Sequence, residues 1–228
     1  MQKSYRNSIS CTPLLEELRK LNVHSSDAIK VIFDIDESEI KTEGIISNLK
    51  KLTLNNLSNL KCVWKENVGG IVSFPNLEEV VVNGCGSLVT LLSSSLAKSL
   101  QKLKKLHMEM CESLVEIVGD EDEREQGRTL TFEFPCLILV DLWNMPLLSC
   151  FYPGKHYLEC PILEALWVAY CPKLKLFTSD LDDSHKDEVT EAPITPLQQP
   201  LFLLEKVQQS INYVLHFLFI IYSSIVSN

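Results

Sequence analysis

The sequence predicts an α/β-type repeat solenoid, in which short repeats stack into one curved parallel β-sheet. An apolar pattern recurs along the chain and is clearest at Leu49, Leu52, Leu54, Leu57, Leu60 and Val63. Six copies of this pattern fill 35 of 36 positions with apolar residues, and Ser26 is the exception. Random placement at 46% hydrophobic content would fill roughly 17 of them, so the repeat is not accidental.

Each copy predicts one short strand followed by a return segment. The Leu52-Thr53-Leu54 triplet alternates apolar and polar residues, as a strand with one buried face does. The copies begin at residues 18, 49, 77, 103, 137 and 163, and their unequal steps place insertions in mostly irregular or short helical return segments. Stacked neighbours must supply the core, because no single repeat buries its apolar row alone. We therefore expect about six leucine-rich repeats over residues 18–178, after an N-terminal lead-in or partial repeat over 1–17.

Cysteine usage predicts an intracellular protein. Three copies carry a cysteine at the ninth position, where a small apolar residue with a weak donor suits a buried turn: Cys85, Cys111 and Cys171. The eight cysteines form no Cys-x-x-Cys pair, and a chain with this apolar content needs no disulfide framework. The N-terminus also lacks the apolar segment of a secretory signal. These features favour a reducing, cytoplasmic location.

Several strings are more specific than the generic repeat. They are Ser47-Asn48-Leu49-Lys50-Lys51-Leu52, Phe74-Pro75-Asn76-Leu77-Glu78-Glu79-Val80, Leu103-Lys104-Lys105-Leu106 and Cys171-Pro172-Lys173-Leu174. Together they resemble the C-terminal leucine-rich repeats of plant coiled-coil nucleotide-binding disease resistance proteins. The resemblance implies a non-catalytic recognition role in innate immunity, in which the repeats sense pathogen effectors or regulate a nucleotide-binding domain. Because the chain has no G-x-x-x-x-G-K-[ST] loop, the resemblance indicates a fragment or truncated paralogue of such a receptor.

The C-terminal part of the chain departs from the repeat. Residues 179–200 are rich in Asp, Ser, Thr and Pro, which predicts a polar linker. Residues 201–228 form a hydrophobic tail, and its apolar stretch over 211–226 is shorter than the roughly 20 residues that a bilayer span needs. The length and the polar residues of this stretch argue against a membrane as a partner, and the alternatives are a cap over the open end of the solenoid or non-native sequence.

The sequence provides no residue set for catalysis, a cofactor or a metal. The net charge of −9 disfavours nucleic acid as a partner. The string Ile32-Phe33-Asp34-Ile35-Asp36 is similar to the nucleophile motif of haloacid dehalogenase-type phosphatases, but Ile32 fills the last position of the first copy, so the repeat explains the string and predicts that its acids lie in solvent. The five histidines show no metal-ligand spacing with cysteine. The acidic run over 120–125 predicts an exposed loop.

The outward positions of the predicted strands indicate a protein-binding surface on the concave face. Most of the six rows are polar, but the last two rows carry large apolar groups, which favour a partner site. The candidate contact residues are Lys105, His107, Leu139, Asp141, Trp143 and Trp167. The predicted function is protein recognition in plant defence. The alternatives are a leucine-rich repeat substrate receptor of a ubiquitin ligase and a non-functional truncated product.

Overall fold

The computed structural model describes residues 16–34, 45–64, 72–119 and 129–174. These residues form short strands and one helix, α1 (Ser94–Ser99). The strands, in chain order, are β1 (Lys20–His24), β2 (Val31–Phe33), β3 (Ile45–Ile46), β4 (Lys51–Asn55), β5 (Cys62–Trp64), β6 (Val72–Ser73), β7 (Glu79–Asn83), β8 (Thr90–Ser93), β9 (Lys105–Glu109), β10 (Glu116–Gly119), β11 (Leu130–Glu133), β12 (Leu139–Trp143), β13 (His156–Glu159) and β14 (Ala165–Ala169).

The main sheet contains one strand from each of the six repeats. Its order is β1-β4-β7-β9-β12-β14, and every neighbouring pair is parallel. The register joins equivalent positions of successive repeats, so that Leu52 pairs with Val80 and Val80 pairs with Leu106. The predicted parallel solenoid and the alignment of its repeats are therefore confirmed.

The return segments hold more strand than the sequence led us to expect. They contain α1, but also four two-stranded parallel sheets, β2-β5, β3-β6, β8-β10 and β11-β13. These strands are rich in Val, Ile, Leu and aromatic residues, which favour extended backbone. Stacking supplies each of them with a parallel partner from a neighbouring repeat, and this partner is not visible within one repeat.

The core follows the apolar pattern of the sequence. Every pattern position of the four central repeats is buried. Aromatic rings fill the return side of the first repeats, where Phe33 stacks on Trp64 at a centroid distance of 4.4 Å and Trp64 contacts Phe74. In the first and sixth repeats most pattern positions are only half-buried, because each of these repeats has a single neighbour within the described residues.

A column of left-handed residues follows the strands of the main sheet. One residue after each strand has a positive φ: Ser25, Asn56, Gly84, Met110, Asn144 and Tyr170. From the first of these residues to the fifth, the backbone N–H donates to the carbonyl oxygen at the end of the next strand, at 2.8 to 3.1 Å. The left-handed turn thus extends the ladder of hydrogen bonds between repeats by one step. Gly and Asn suit this backbone, whereas Ser, Met and Tyr adopt it at a cost.

The ninth-position cysteines lie in the core beneath these turns. The Sγ atom of Cys171 contacts the carbonyl oxygens of Leu142 and Ala169, and Cys85 makes equivalent contacts. Burial raises the pKa of Cys85 and Cys171, and it raises the pKa of Cys111 to about 12. These thiols stay protonated at neutral pH, which suits a packing role and disfavours nucleophilic chemistry.

Several sequence predictions concern residues outside the described part of the chain. These are the lead-in over 1–15, the acidic run over 120–125, the linker over 179–200 and the hydrophobic tail over 201–228. Asp36 of the phosphatase-like string also lies outside it, whereas Asp34 directly follows β2 and is half-buried, not fully in solvent as the sequence predicted. Among the helices of the described residues, none has the length and apolar character to cross a membrane.

Candidate protein-interaction surface

Three columns of side chains lie on the concave face of the main sheet, since alternate residues of each strand point away from the core. The register pairs the members of each column across neighbouring strands. The columns are Lys20, Lys51, Glu79, Lys105, Leu139 and Ala165; then Asn22, Thr53, Val81, His107, Asp141 and Trp167; then His24, Asn55, Asn83, Glu109, Trp143 and Ala169. The six predicted contact residues therefore lie together, on the three adjacent strands β9, β12 and β14.

Charged side chains of the second, third and fourth repeats form ion pairs with one another. On the concave face, Lys51 Nζ lies 2.8 Å from Glu79 Oε1. At the foot of the sheet, Glu78 lies between Lys50 and Lys104, with Nζ–O distances of 3.5 and 2.7 Å. The hydrogen bond and charge of Lys104 lower the pKa of Glu78. Through these ion pairs, charged groups on the surface neutralise one another. Surface pairs of this kind contribute little to stability.

A histidine with two acidic neighbours marks the change from the polar part to the apolar part of the face. His107 Nδ1 lies 2.8 Å from Asp141 Oδ2, and its Nε2 lies 3.8 Å from Glu109 Oε2. About 30% of each of these side chains is exposed. Lys105 is exposed at the start of the same strand. The His107–Asp141 contact joins residues 34 apart in the sequence and depends on the register of β9 and β12.

Two tryptophans and a tyrosine dominate the end of the face. Trp143 is 43% exposed, Trp167 is 49% exposed, and they lie on the neighbouring strands β12 and β14. The ring of Trp143 contacts Tyr170, with centroids 5.2 Å apart and planes at 67°. We define the aromatic surface as Leu139, Trp143, Trp167 and Tyr170.

Tyr170 is the member of the aromatic surface that sequence reasoning missed. It follows β14 rather than lying within it, so it falls outside the three outward positions that period-two alternation predicts. Its left-handed backbone, with φ of 56°, brings its ring beside Trp143. Three preceding repeats carry Asn56, Gly84 and Asn144 at the equivalent position, and these residue types indicate a left-handed turn. Met110 and Tyr170 occupy the same position and do not indicate such a turn, so the sequence pattern was incomplete.

Exposed apolar residues concentrate at this end of the solenoid. The described residues include nine large hydrophobic side chains that are exposed, and six of these lie between residues 143 and 170. They are Trp143, Leu147, Tyr157, Ile162, Trp167 and Tyr170. Within the described ranges, no group of three His, Cys, Asp or Glu side chains could hold a metal ion.

The six-stranded parallel sheet, its repeat register and its open concave face define a leucine-rich repeat protein. Residues 3–112 match the family model for leucine-rich repeats of plant disease resistance proteins of the RPS2-like type. This part of the chain is thus a leucine-rich repeat region of plant resistance proteins, and the resemblance seen in the sequence is confirmed. Repeats of this family are non-catalytic modules for protein interaction. Neither the search of curated proteins nor the search of solved structures gave a match.

Proposed function

We propose that this chain is a protein-recognition module of plant innate immunity, whose partner binds the aromatic surface at the end of the concave face. The partner is a pathogen effector, a host protein that an effector modifies, or a nucleotide-binding domain that the repeats regulate. Asp141, His107 and Lys105 form the polar border of the contact. The match to resistance-protein repeats supports the role in defence. We propose a cytosolic location because the cysteines of the described residues are free, as is usual in a reducing compartment.

The observation that carries the proposal is the exposure of Trp143, Trp167 and Tyr170 next to one another at the end of the concave face. Large contiguous apolar area on a soluble protein usually marks an interaction site, and tryptophan and tyrosine are enriched at the centres of interfaces. Elsewhere on the concave face, by contrast, charged groups such as Lys51 and Glu79 pair with each other. A partner that covers the aromatic surface therefore gains more than one that covers the first three rows.

The test compares two substitutions on the same face. Removing an interface tryptophan commonly costs about 2 kcal/mol or more, or roughly a thirtyfold loss of affinity. Trp167→Ala should therefore abolish co-purification of the separately expressed nucleotide-binding region or of an effector, whereas Lys51→Ala should retain it. Circular dichroism should show both variants folded, because Trp167 is half exposed.

Two results would contradict the proposal. Equal retention of the partner by both variants would show that the aromatic surface is not the contact. Unfolding of Trp167→Ala would show that the residue supports the core or is covered by another segment of the chain. Tyr170→Ala provides a second test, because Tyr170 is 64% exposed and removal of its ring should weaken binding without unfolding the last repeat.

A further inference from the structure

The last strand of the main sheet, β14, has an open edge within the described residues. It pairs with β12 on one side, and the order of the sheet ends there. In a parallel sheet, successive residues of a strand direct their hydrogen bonds to opposite sides. Ala165 N donates to Ile138 O on the β12 side, so the N–H and C=O groups of Leu166 and Val168 point towards the open edge. Such edge groups are a template for a further strand.

A series of carbonyl groups at the foot of the sheet leads to the same edge. In each of the first five repeats, one carbonyl oxygen accepts hydrogen bonds from two N–H groups of the next repeat, at 2.7 to 3.2 Å. These acceptors belong to Arg19, Lys50, Glu78, Lys104 and Ile138. Glu164 is next in the series, and no N–H group of the described residues donates to its carbonyl oxygen. The series therefore leaves an acceptor for two N–H groups of a seventh repeat.

The apolar side chains of the sixth repeat are incompletely covered on this side. Four of its pattern positions are half-buried, namely Leu163, Leu166, Val168 and Leu174. Their counterparts in the fifth repeat are buried, and these are Leu137, Val140, Leu142 and Leu148. A repeat of this fold reaches full burial with a neighbour on each side. The backbone and the side chains of the sixth repeat thus both fit a further repeat beside β14.

The chain that follows carries the start of one more repeat. Fifty-four residues follow Leu174, whereas the longest step between the described repeats is 34 residues. Within them, the string Leu204-Glu205-Lys206-Val207 matches Leu77-Glu78-Glu79-Val80, which begins the third repeat. The length and the string together allow a seventh repeat that begins at Leu204.

The rest of the pattern continues from Leu204. Asn212 lies at the ninth position, where leucine-rich repeats favour asparagine or cysteine. Leu215 and Leu218 fill the last two apolar positions. The third position departs from the pattern, because it is Gln209. A polar residue is least costly there in a last repeat, whose outer side has no neighbour to exclude water.

We infer that residues 204–218 form a seventh repeat, whose strand over 206–210 pairs in parallel with β14. The register of the sheet joins equivalent positions, so Val207 pairs with Leu166 and Gln208 pairs with Trp167. The N–H groups of residues 205 and 206 then donate to Glu164 O, which continues the series at the foot of the sheet. Gln208 extends the concave face beside Trp167, so the aromatic surface stays open to a partner. The inference does not depend on the proposed function.

Amide hydrogen exchange of the full chain, followed by nuclear magnetic resonance, tests the pairing. The N–H groups of Leu166 and Val168 donate to the seventh strand if it forms and contact water if it does not. The matched reference is Val140 and Leu142, whose N–H groups face β14 in the same alternation. Leu166 and Val168 should exchange no more than about tenfold faster than this pair. Any larger ratio would overturn the inference.

Two variants then test the register. Val207→Asp places a charge at an inward position of the seventh strand, so it should speed the exchange of Leu166 and Val168 at least about tenfold and leave Val140 unchanged. Gln208→Asp changes the adjacent, outward position and should leave all these rates unchanged. If Val207→Asp has no effect, or if both variants have the same effect, the seventh repeat is wrong.

Dilution separates the chain's own residues from a second copy of the chain. Pairing within one chain does not depend on concentration, so the rates of Leu166 and Val168 should be the same after a tenfold dilution. Protection that is lost on dilution would show that a second copy covers β14, and it would overturn the inference. The comparison of Trp167→Ala with Lys51→Ala is unaffected by these outcomes, because it concerns the concave face and not the edge of the sheet.

Discussion

Two neighbouring glycines should respond to alanine substitution with opposite signs. Gly84 belongs to the left-handed column, with φ of 65°, and its N–H donates to Glu109 O at 2.9 Å. A Cβ at Gly84 would lie 2.6 Å from Asn56 Oδ1. Gly86 lies two residues later, outside the left-handed region, and a Cβ there would meet no atom within 4 Å. The pair therefore separates backbone strain from the general effect of replacing glycine.

The expected change in the free energy of unfolding follows from two opposing effects. A left-handed backbone costs a residue with a side chain roughly 1 to 2 kcal/mol. Replacing glycine by alanine recovers about 0.4 to 1 kcal/mol by restricting the unfolded chain. Gly84→Ala should thus lower the free energy of unfolding by about 1 kcal/mol, with a further loss if the Asn56 side chain cannot rotate away from the new Cβ. Gly86→Ala should raise it by about 0.4 to 1 kcal/mol, since only the second effect applies.

Urea unfolding followed by far-ultraviolet circular dichroism measures both variants. The change in midpoint at a common slope gives the difference in free energy. Gly84→Asn is the informative third variant, because Asn56 and Asn144 occupy the equivalent position in other repeats, and it should lose less than Gly84→Ala. If Gly84→Ala is as stable as Gly86→Ala, the left-handed column does not strain side chains and the reasoning about Tyr170 fails with it.

Three further predictions test the core. Leu106→Asp places an unpaired charge at a buried position of β9, which costs several kcal/mol, so the central repeats should lose their circular dichroism signal. Lys105→Asp, on the exposed face of the same strand, should keep that signal. Unchanged spectra for both variants would refute the register. Val140→Ile extends into an apolar cavity of about 20 Å³ that Val140 lines, and it should raise stability by up to about 0.8 kcal/mol in a urea titration. Val82→Ile, at a buried position outside that cavity, should lower stability by overpacking, and equal effects would argue against the cavity. Stability should fall above pH 9, because Cys111, with its pKa raised to about 12, stays protonated in the folded chain while the thiol of the unfolded chain ionises near 9.0. Ionisation of that thiol in the unfolded chain should lower the free energy of unfolding by roughly 1.4 kcal/mol between pH 8 and pH 10. A stability curve for Cys111→Ala that is parallel to the curve of the unaltered chain would contradict this assignment.

The apolar spacing of the sequence was enough to predict the solenoid, its register and its core. Each repeat contacts its nearest neighbours, so the rule that buries Leu52 also buries Val80 and Leu106. Period-two alternation was likewise enough to place Trp143 and Trp167 on the outward face. These features depend on the spacing of residues along the chain, which the sequence gives directly.

Only the tertiary structure shows the features that several repeats form together. The short strands of the return segments form only where a neighbouring repeat offers a partner, as β10 does for β8. The contact between His107 and Asp141 requires two adjacent strands and a particular orientation of both side chains. Tyr170 reaches Trp143 through a left-handed turn that its own residue type disfavours. Contacts of this kind depend on side-chain direction and backbone angles across three strands, and a pattern of apolar and polar residues along one chain does not encode them.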